Sequence, residues 1–286
     1  MSLLRRLPQL DEMWDIVLYV HDIVPPCRTV LMVVKELELE ITIQEVNLNK
    51  QEHLSEEFLK INPLHTIPVL EEQGYVLTDS HAIACFLIDD FSMDINPLYP
   101  KQLSTRALIN QYLMFEAETM FPPVKRVVLP IILGQETSIS EEKIAACREM
   151  FSFLNKVLQN KEWLVGDSYT VADISCVTTA SSITVLMDMD LYPNVNAWIK
   201  RCEKEIPSYK ECNVPGLKKL HALLRSALTS AGLPSAGLPS AELPSAEPPS
   251  SEPPSSEPPS SEPPSAAPPS AAPPSAAPSS SALPSS

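Results

Sequence analysis

Apolar and polar positions keep one rhythm up to about residue 92 and another after it. In the first stretch short alternating runs interleave with helical ones. Asp15–Val20 reads as a strand, and Pro25-Pro26 predicts its end. Val30, Leu31, Val34 and Leu37 recur at helical spacing and predict a helix over Arg28–Leu39. Ile41, Ile43 and Val46 alternate through Glu40–Leu48, as a strand does. Ser55 stands before Glu56, Glu57 and Phe58, an N-cap for a short helix ending near Asn62. Ile67–Glu71 and Tyr75–Thr78 flank the turn Gln73-Gly74 and predict a hairpin. Asp79 or Ser80 can cap a helix from His81 to about Phe91.

The order β-α-β-α-β-β-α fits a thioredoxin-like domain. Beyond Asn96 the alternation stops and long Leu/Ile/Val stripes take over. Helices are expected at Thr105–Leu133, Ser140–Leu158, Val171–Met187, Val195–Lys204 and Leu217–Ala227. Pro122-Pro123 should kink or split the first of them. Thr170-x-x-Asp173 has the spacing of a capping box. The fold class is therefore α+β: a thioredoxin-like domain over 15–92, then an all-helical domain over 93–225, linked through Asn96–Pro100.

Composition changes the picture at the two ends. From Ser226 to Ser286 a five-residue period appears, as in Leu233-Pro234-Ser235-Ala236-Gly237. This stretch carries seventeen of the chain's 30 prolines, five glutamates and no Lys or Arg. It has too little apolar surface to offset the entropy of ordering, so a disordered, extended tail is expected. A docking role for SH3-like or WW-like domains is the alternative. Residues 1–14 form an N-terminal extension. Pro8, Asp11 and Glu12 interrupt it before a secretory core can form. The formal net charge of −15 argues against nucleic acid or an anionic membrane as partner. No apolar run reaches membrane-spanning length. Cys27, Cys85, Cys147, Cys176, Cys202 and Cys212 form no Cys-x-x-Cys pair. Reduced core thiols in a cytoplasmic protein, and no metal, are the expectation.

Several segments fall together in a recognisable order: Pro25-Pro26-Cys27-Arg28, Val46-Asn47-Leu48, Gln51-Glu52-His53, Asn62 to Leu70, and Asp79-Ser80-His81-Ala82-Ile83. The helical half adds Gly166-Asp167, Thr170 to Ile174 and Tyr192-Pro193-Asn194-Val195. Over about residues 16–222 the chain resembles the insect delta/epsilon cytosolic glutathione transferases. The resemblance implies glutathione as co-substrate, apolar small molecules as second substrates and a homodimer. It also implies glutathione contacts from His53, His65, Ile67, Pro68, Asp79, Ser80 and His81.

Each assignment has a physical reading. A cis Ile67–Pro68 bond, the family's arrangement, would turn the Ile67 backbone outward to an extended peptide; a strand-edge proline is the alternative. Ser80 and the free N–H groups of a helix start can hold the γ-glutamyl carboxylate. Asp79 could take the ammonium group or serve as a plain cap. His81 stands where the family often has arginine, so its contact is expected to be weaker. Pro25, Leu48, Phe121, Val124 and Val128 are candidates for an apolar pocket wall, with plain helix packing as the alternative.

One position departs from the family. Where a serine donates a hydrogen bond to the glutathione sulfur, this chain has Val24. A bond to a charged group is worth about 1.5–3 kcal/mol, so its loss should raise the thiol pKa by roughly one to two units. The start of the following helix still favours a thiolate, by about 0.3–1 kcal/mol. Tyr19 is expected to face away from the sulfur. Backbone N–H groups, or Cys27 as a partly activated thiol, remain as substitutes. Three functions follow: a transferase of reduced activity, a glutathione-holding carrier of hydrophobic ligands, or an interaction scaffold.

Overall fold

The computed structural model describes residues 16–92 and 96–230. The N-terminal extension and most of the expected tail lie outside the described residues.

Strand β1 (Ile16–Val20) buries Ile16, Leu18 and Val20 and turns Val17 and Tyr19 to the other face. Helix α1 begins at Pro25, three residues before the expected start, and ends at Glu36. The two prolines do stop the strand, but they also open the helix. Proline is tolerated in a first turn, whose N–H groups need no intrahelical partner. Strand β2 (Thr42–Glu45) is shorter than expected, because the chain turns at Asn47, whose N–H is bound by Glu52. Ser55 caps α2 (Glu56–Ile61) through the Phe58 N–H, as its position predicted. Strands β3 (Val69–Glu72) and β4 (Tyr75–Thr78) form the hairpin and lead into α3 (Ser80–Phe91). Among the described residues the strands make one sheet, in the order β2-β1-β3-β4. β1 and β2 are parallel, while β3 runs antiparallel to both β1 and β4.

The helical half starts with α4 (Leu103–Phe115), passes through a π-helical turn at Glu116–Met120 and continues as α5 (Phe121–Ile132). Pro122 and Pro123 therefore split the expected helix. Neither can donate to the preceding turn, and the widened turn sits just ahead of them. Ser140 caps α6 (Glu141–Val157). Helix α7 (Val171–Ser182) is buried along its whole length. It stops five residues before the expected end, where Thr178, Ser181, Ser182 and Thr184 hydroxyls bond to nearby carbonyls and compete with the helical ladder. Helices α8 (Pro193–Glu205) and α9 (Val214–Ser230) complete this half. Helix α9 runs on through Ser230, so the first residues assigned to the tail are helical.

Two polar centres hold α7. The buried Asp173 carboxylate accepts from the Leu164 and Thr170 N–H groups, the Thr170 hydroxyl and the Trp198 indole. The expected capping box is thus present, extended to a second helix. On the other side the Thr29 and Thr178 hydroxyls meet at 2.7 Å and join α1 to α7. The link between the halves is fixed by Arg106. It forks onto Asp89 of α3, bonds the Tyr99 and Pro100 carbonyls and stacks over the Tyr99 ring.

Candidate functional site

Strand directions bring the candidate segments to one edge. The parallel strands β1 and β2 both end there, held by the Val46 N–H on the Val20 carbonyl at 2.8 Å. Strand β3 begins there, with Val69 opposite both Tyr19 and Thr78, and β4 ends there. The loops at His21–Val24, at Asn47–Ser55, at Asn62–Pro68 and at Asp79-Ser80 therefore leave the sheet on the same side.

The Ile67–Pro68 bond is cis. Among the described residues, the Ile67 N–H and C=O make no hydrogen bond within the protein. An unpaired N–H and C=O on an extended segment can pair with an extended peptide. Asn62 fixes the approach by donating from its amide to the Thr66 carbonyl at 2.8 Å. The His53 and His65 rings lie 6.4 Å apart. His65 is exposed, whereas His53 is buried with Nδ1 unpartnered. Burial, and then the nearby His65, lower the His53 pKa, so it is neutral at pH 7.

Asp79 holds a left-handed backbone, φ 74°. A non-glycine residue adopts this at a cost of about 1–3 kcal/mol, and functional sites are where such strain collects. Its Oδ1 accepts from the His81 and Ala82 N–H groups and so caps α3. Two of the expected free donors are thereby used. The Ser80 N–H and hydroxyl remain without a partner among the described residues.

His81 does not face the slot as expected. Its ring is buried between the two halves, with Nε2 2.9 Å from Glu116 Oε2 and 2.8 Å from Ser175 Oγ. Glu116 also accepts from the Thr179 hydroxyl. Burial pulls the His81 pKa down, but the Glu116 hydrogen bond and the charges of Glu116 and Asp79 carry it above the ordinary value. Sequence reading did not find Glu116, Ser175 and Thr179, because nothing local marks a carboxylate in a helix as inward-facing.

Around Val24 the structure removes several substitutes. The Val24 N–H donates to the His21 carbonyl, and the Cys27 and Arg28 N–H groups return to the Val24 carbonyl. Pro25 and Pro26 have no N–H, and the Ile23 N–H goes to His21 Nδ1 at 3.3 Å. No backbone donor from Ile23 to Arg28 is left for a sulfur. The Tyr19 hydroxyl donates to Glu71 and its ring packs edge-on against Phe58, away from the loop as expected. Cys27 is fully buried and its thiol is pushed up to about 12, which ends the idea of an activated thiol. Of the candidate pocket wall, Pro25, Leu48, Val124 and Val128 are buried and Phe121 is half-buried. Leu48, Val124 and Val128 lie within the continuous apolar core.

A thioredoxin-like domain with this peptide-shaped edge, followed by an all-helical domain, defines the glutathione transferase class. Residues 25–90 match the family described as Glutathione S-transferase, N-terminal domain, and residues 112–205 match Glutathione S-transferase, C-terminal domain. Glutathione S-transferase 1 of Manduca sexta is 37% identical over 216 residues, covering 74% of this chain and 98% of its own. An epsilon-class glutathione S-transferase structure from the housefly Musca domestica is 38% identical, with a TM-score of 0.68 over 74% of this chain and 98% of that one. A glutathione transferase homologue from Drosophila mojavensis, solved with bound glutathione, is 34% identical with a TM-score of 0.70, covering 75% and 98%. The chain belongs to the glutathione S-transferase family, and glutathione is that family's co-substrate.

Proposed function

We propose that the protein binds glutathione along the sheet edge and conjugates it slowly to apolar electrophiles. The observation that carries this reading is the unengaged Ile67 backbone beside the cis Pro68, on the sheet edge from which the loops of the two histidines and of Ser80 also leave. The backbone pair binds the cysteinyl unit as a strand would. His53 and His65 serve the glycine end. The Ser80 N–H and hydroxyl hold the γ-glutamyl carboxylate, with the exposed Asp79 available to the ammonium group. His81 acts from behind, by fixing the first turn of α3 through Glu116. Binding then places the sulfur beside Val24, and proximity to the electrophile supplies most of the rate gain. Pro25, Leu48 and Phe121 form the apolar side of the second site, with Val124 and Val128 behind.

A glutathione-holding carrier of hydrophobic ligands is the second reading. It is favoured by the absence of a free backbone donor from Ile23 to Arg28. The family's homodimer is proposed here too, with the exposed Leu103 and Met114 of α4 and Phe153 of α6 as its apolar seam. A cytoplasmic setting completes the proposal. Among the described residues no helix is long and apolar enough to cross a membrane, and no cluster of three metal-ligating side chains occurs.

Calorimetric titration with millimolar glutathione, followed by an aryl-halide conjugation assay, tests the reading. Heat of binding with measurable turnover is expected. Binding without turnover identifies the carrier, and no heat at all overturns both.

A further inference from the structure

Arg28 is fully buried, and every hydrogen bond it makes goes to a neutral acceptor. Nη1 reaches the Ile23 carbonyl at 2.8 Å and the Asp22 carbonyl at 3.1 Å. Nε meets Asn213 Oδ1 at 2.7 Å, and Nη2 meets Ser182 Oγ and the Thr178 carbonyl. Among the described residues no carboxylate pairs with it. Asp22, on the adjoining loop, gives Oδ2 to Lys219 at 2.6 Å and keeps its buried Oδ1 without a hydrogen-bond partner. Burial lowers the guanidinium pKa only to about 10, so the group stays charged at neutral pH.

The charged or titratable groups around it are few. Asp22 lies on the loop, Cys27 on α1, Tyr209 on the π-helical turn before α9, and Lys219 and His221 on α9. Burial raises the Cys27 and Tyr209 values to about 12, so neither is an anion at neutral pH. Burial lowers the His221 value. Arg28, Lys219 and Asp22 together leave one uncompensated positive charge behind the loop. Position matters as much as sign. Two of the three carbonyls that Arg28 holds belong to the residues just before Val24, and the Arg28 N–H bonds the Val24 carbonyl. One layer of peptide separates the cation from the position that faces the sulfur. A sequence that has valine at position 24, and whose N–H groups from Ile23 to Arg28 are all engaged or absent, retains this field.

We infer that Arg28 is the electrostatic positioning residue of the thiol site: its uncompensated buried charge favours the thiolate of bound glutathione without touching it. The inference rests on the glutathione-binding reading above. In the step concerned, the S–H bond breaks heterolytically. Its proton passes to water and the electron pair stays on sulfur, which, with an aryl halide, then forms the C–S bond while the C–halogen bond breaks and halide leaves with its electron pair. A unit charge about 10 Å away at an effective dielectric of about 20 shifts such an ionisation by roughly one pKa unit.

Asn213→Asp provides the test, because it places a carboxylate on the guanidinium with almost no change of shape. Ser181→Ala is its control, removing the weak Asn213 contact at 3.3 Å without changing charge. The readout is the ultraviolet titration of the bound glutathione thiolate, with S-methylglutathione affinity measured in parallel. Asn213→Asp is expected to raise the thiol pKa by about one unit, a tenfold loss of thiolate at neutral pH, while S-methylglutathione still binds and Ser181→Ala titrates as wild type. Lys219→Gln, a surface change that releases Asp22, should shift it the same way by a smaller step and keeps the test available if Asn213→Asp does not fold. Unchanged titration in the charge variants, with S-methylglutathione bound, overturns the inference alone. Failure of the wild type to bind S-methylglutathione overturns the glutathione reading and the inference with it.

Discussion

The His81 ring on α3 meets the Glu116 carboxylate of the π-helical turn at 2.9 Å, inside the protein and across the junction of its two halves. One side chain comes from the turn that would grip the γ-glutamyl end, and the other from the helix split by Pro122-Pro123. The relationship ties slot geometry to the packing of the helical half.

Its pH dependence follows from the direction of the shift. The folded pKa of His81 is raised, so the pair's contribution is fully present below the ordinary histidine value of about 6.5. It is lost as pH rises through the folded value. The difference in Tm between wild type and Glu116→Gln should therefore be largest in mild acid and shrink toward alkaline pH. A difference that grows with pH would contradict the assignment.

Val24→Ser restores a hydroxyl at the thiol position. Glutathione conjugation at neutral pH should rise about tenfold or more, with the apparent pKa of the pH–rate profile lower by roughly one to two units. Steady-state assays with a simple aryl halide measure both. No gain alongside tight glutathione binding favours the carrier reading.

Gly216 sits in the first turn of α9 against the loop that carries Val24. A Cβ there would fall 1.9 Å from the Asp22 carbonyl oxygen, a backbone atom with nowhere to go. Gly216→Ala should cost about 1–3 kcal/mol, at roughly 2–4 °C of Tm per kcal/mol for a domain this size. Calorimetry on the full chain measures it, and an unchanged Tm would mean that α9 and the loop are not in contact.

Cys27 should resist alkylation. With its side chain fully buried and its thiol near 12, it is expected to remain unmodified by iodoacetamide in the native protein at neutral pH. Peptide mass mapping should find it labelled only after denaturation. Rapid native labelling would show the α1 start to be open.

Asp173→Ala removes the acceptor of four donors in the core, including the Trp198 indole. Each buried donor left unsatisfied costs about 1–3 kcal/mol, so a large drop in stability and a changed Trp198 emission are expected. Urea denaturation followed by tryptophan fluorescence reports both.

Local chemistry made much of this chain legible. Alternation marked β2, a short β-rich run marked β1, the turn at Gln73-Gly74 marked β3 and β4, Ser55 and Ser140 marked helix starts, and Thr170-x-x-Asp173 marked the cap of α7, because each depends on neighbours in sequence. Pro68, Ser80 and the histidine pair were found as parts of a motif whose spacing is itself local. Strand and helix ends were less legible. Pro25 opens α1 rather than merely ending β1, and serine and threonine hydroxyls stop α7 early.

The sequence by itself determined the order of elements, the motif that resembles a glutathione-binding slot, and the valine at position 24, where the resemblance expects a serine. Only the tertiary structure decided what surrounds that position. It turned His81 inward to Glu116, closed every N–H from Ile23 to Arg28, and buried Cys27 beyond use. It also set an unpaired Arg28 behind the loop. These outcomes join residues more than a hundred positions apart, such as Arg28 with Ser182 and Asn213. Periodicity and capping act over a few residues, whereas burial and charge compensation are properties of the packed whole.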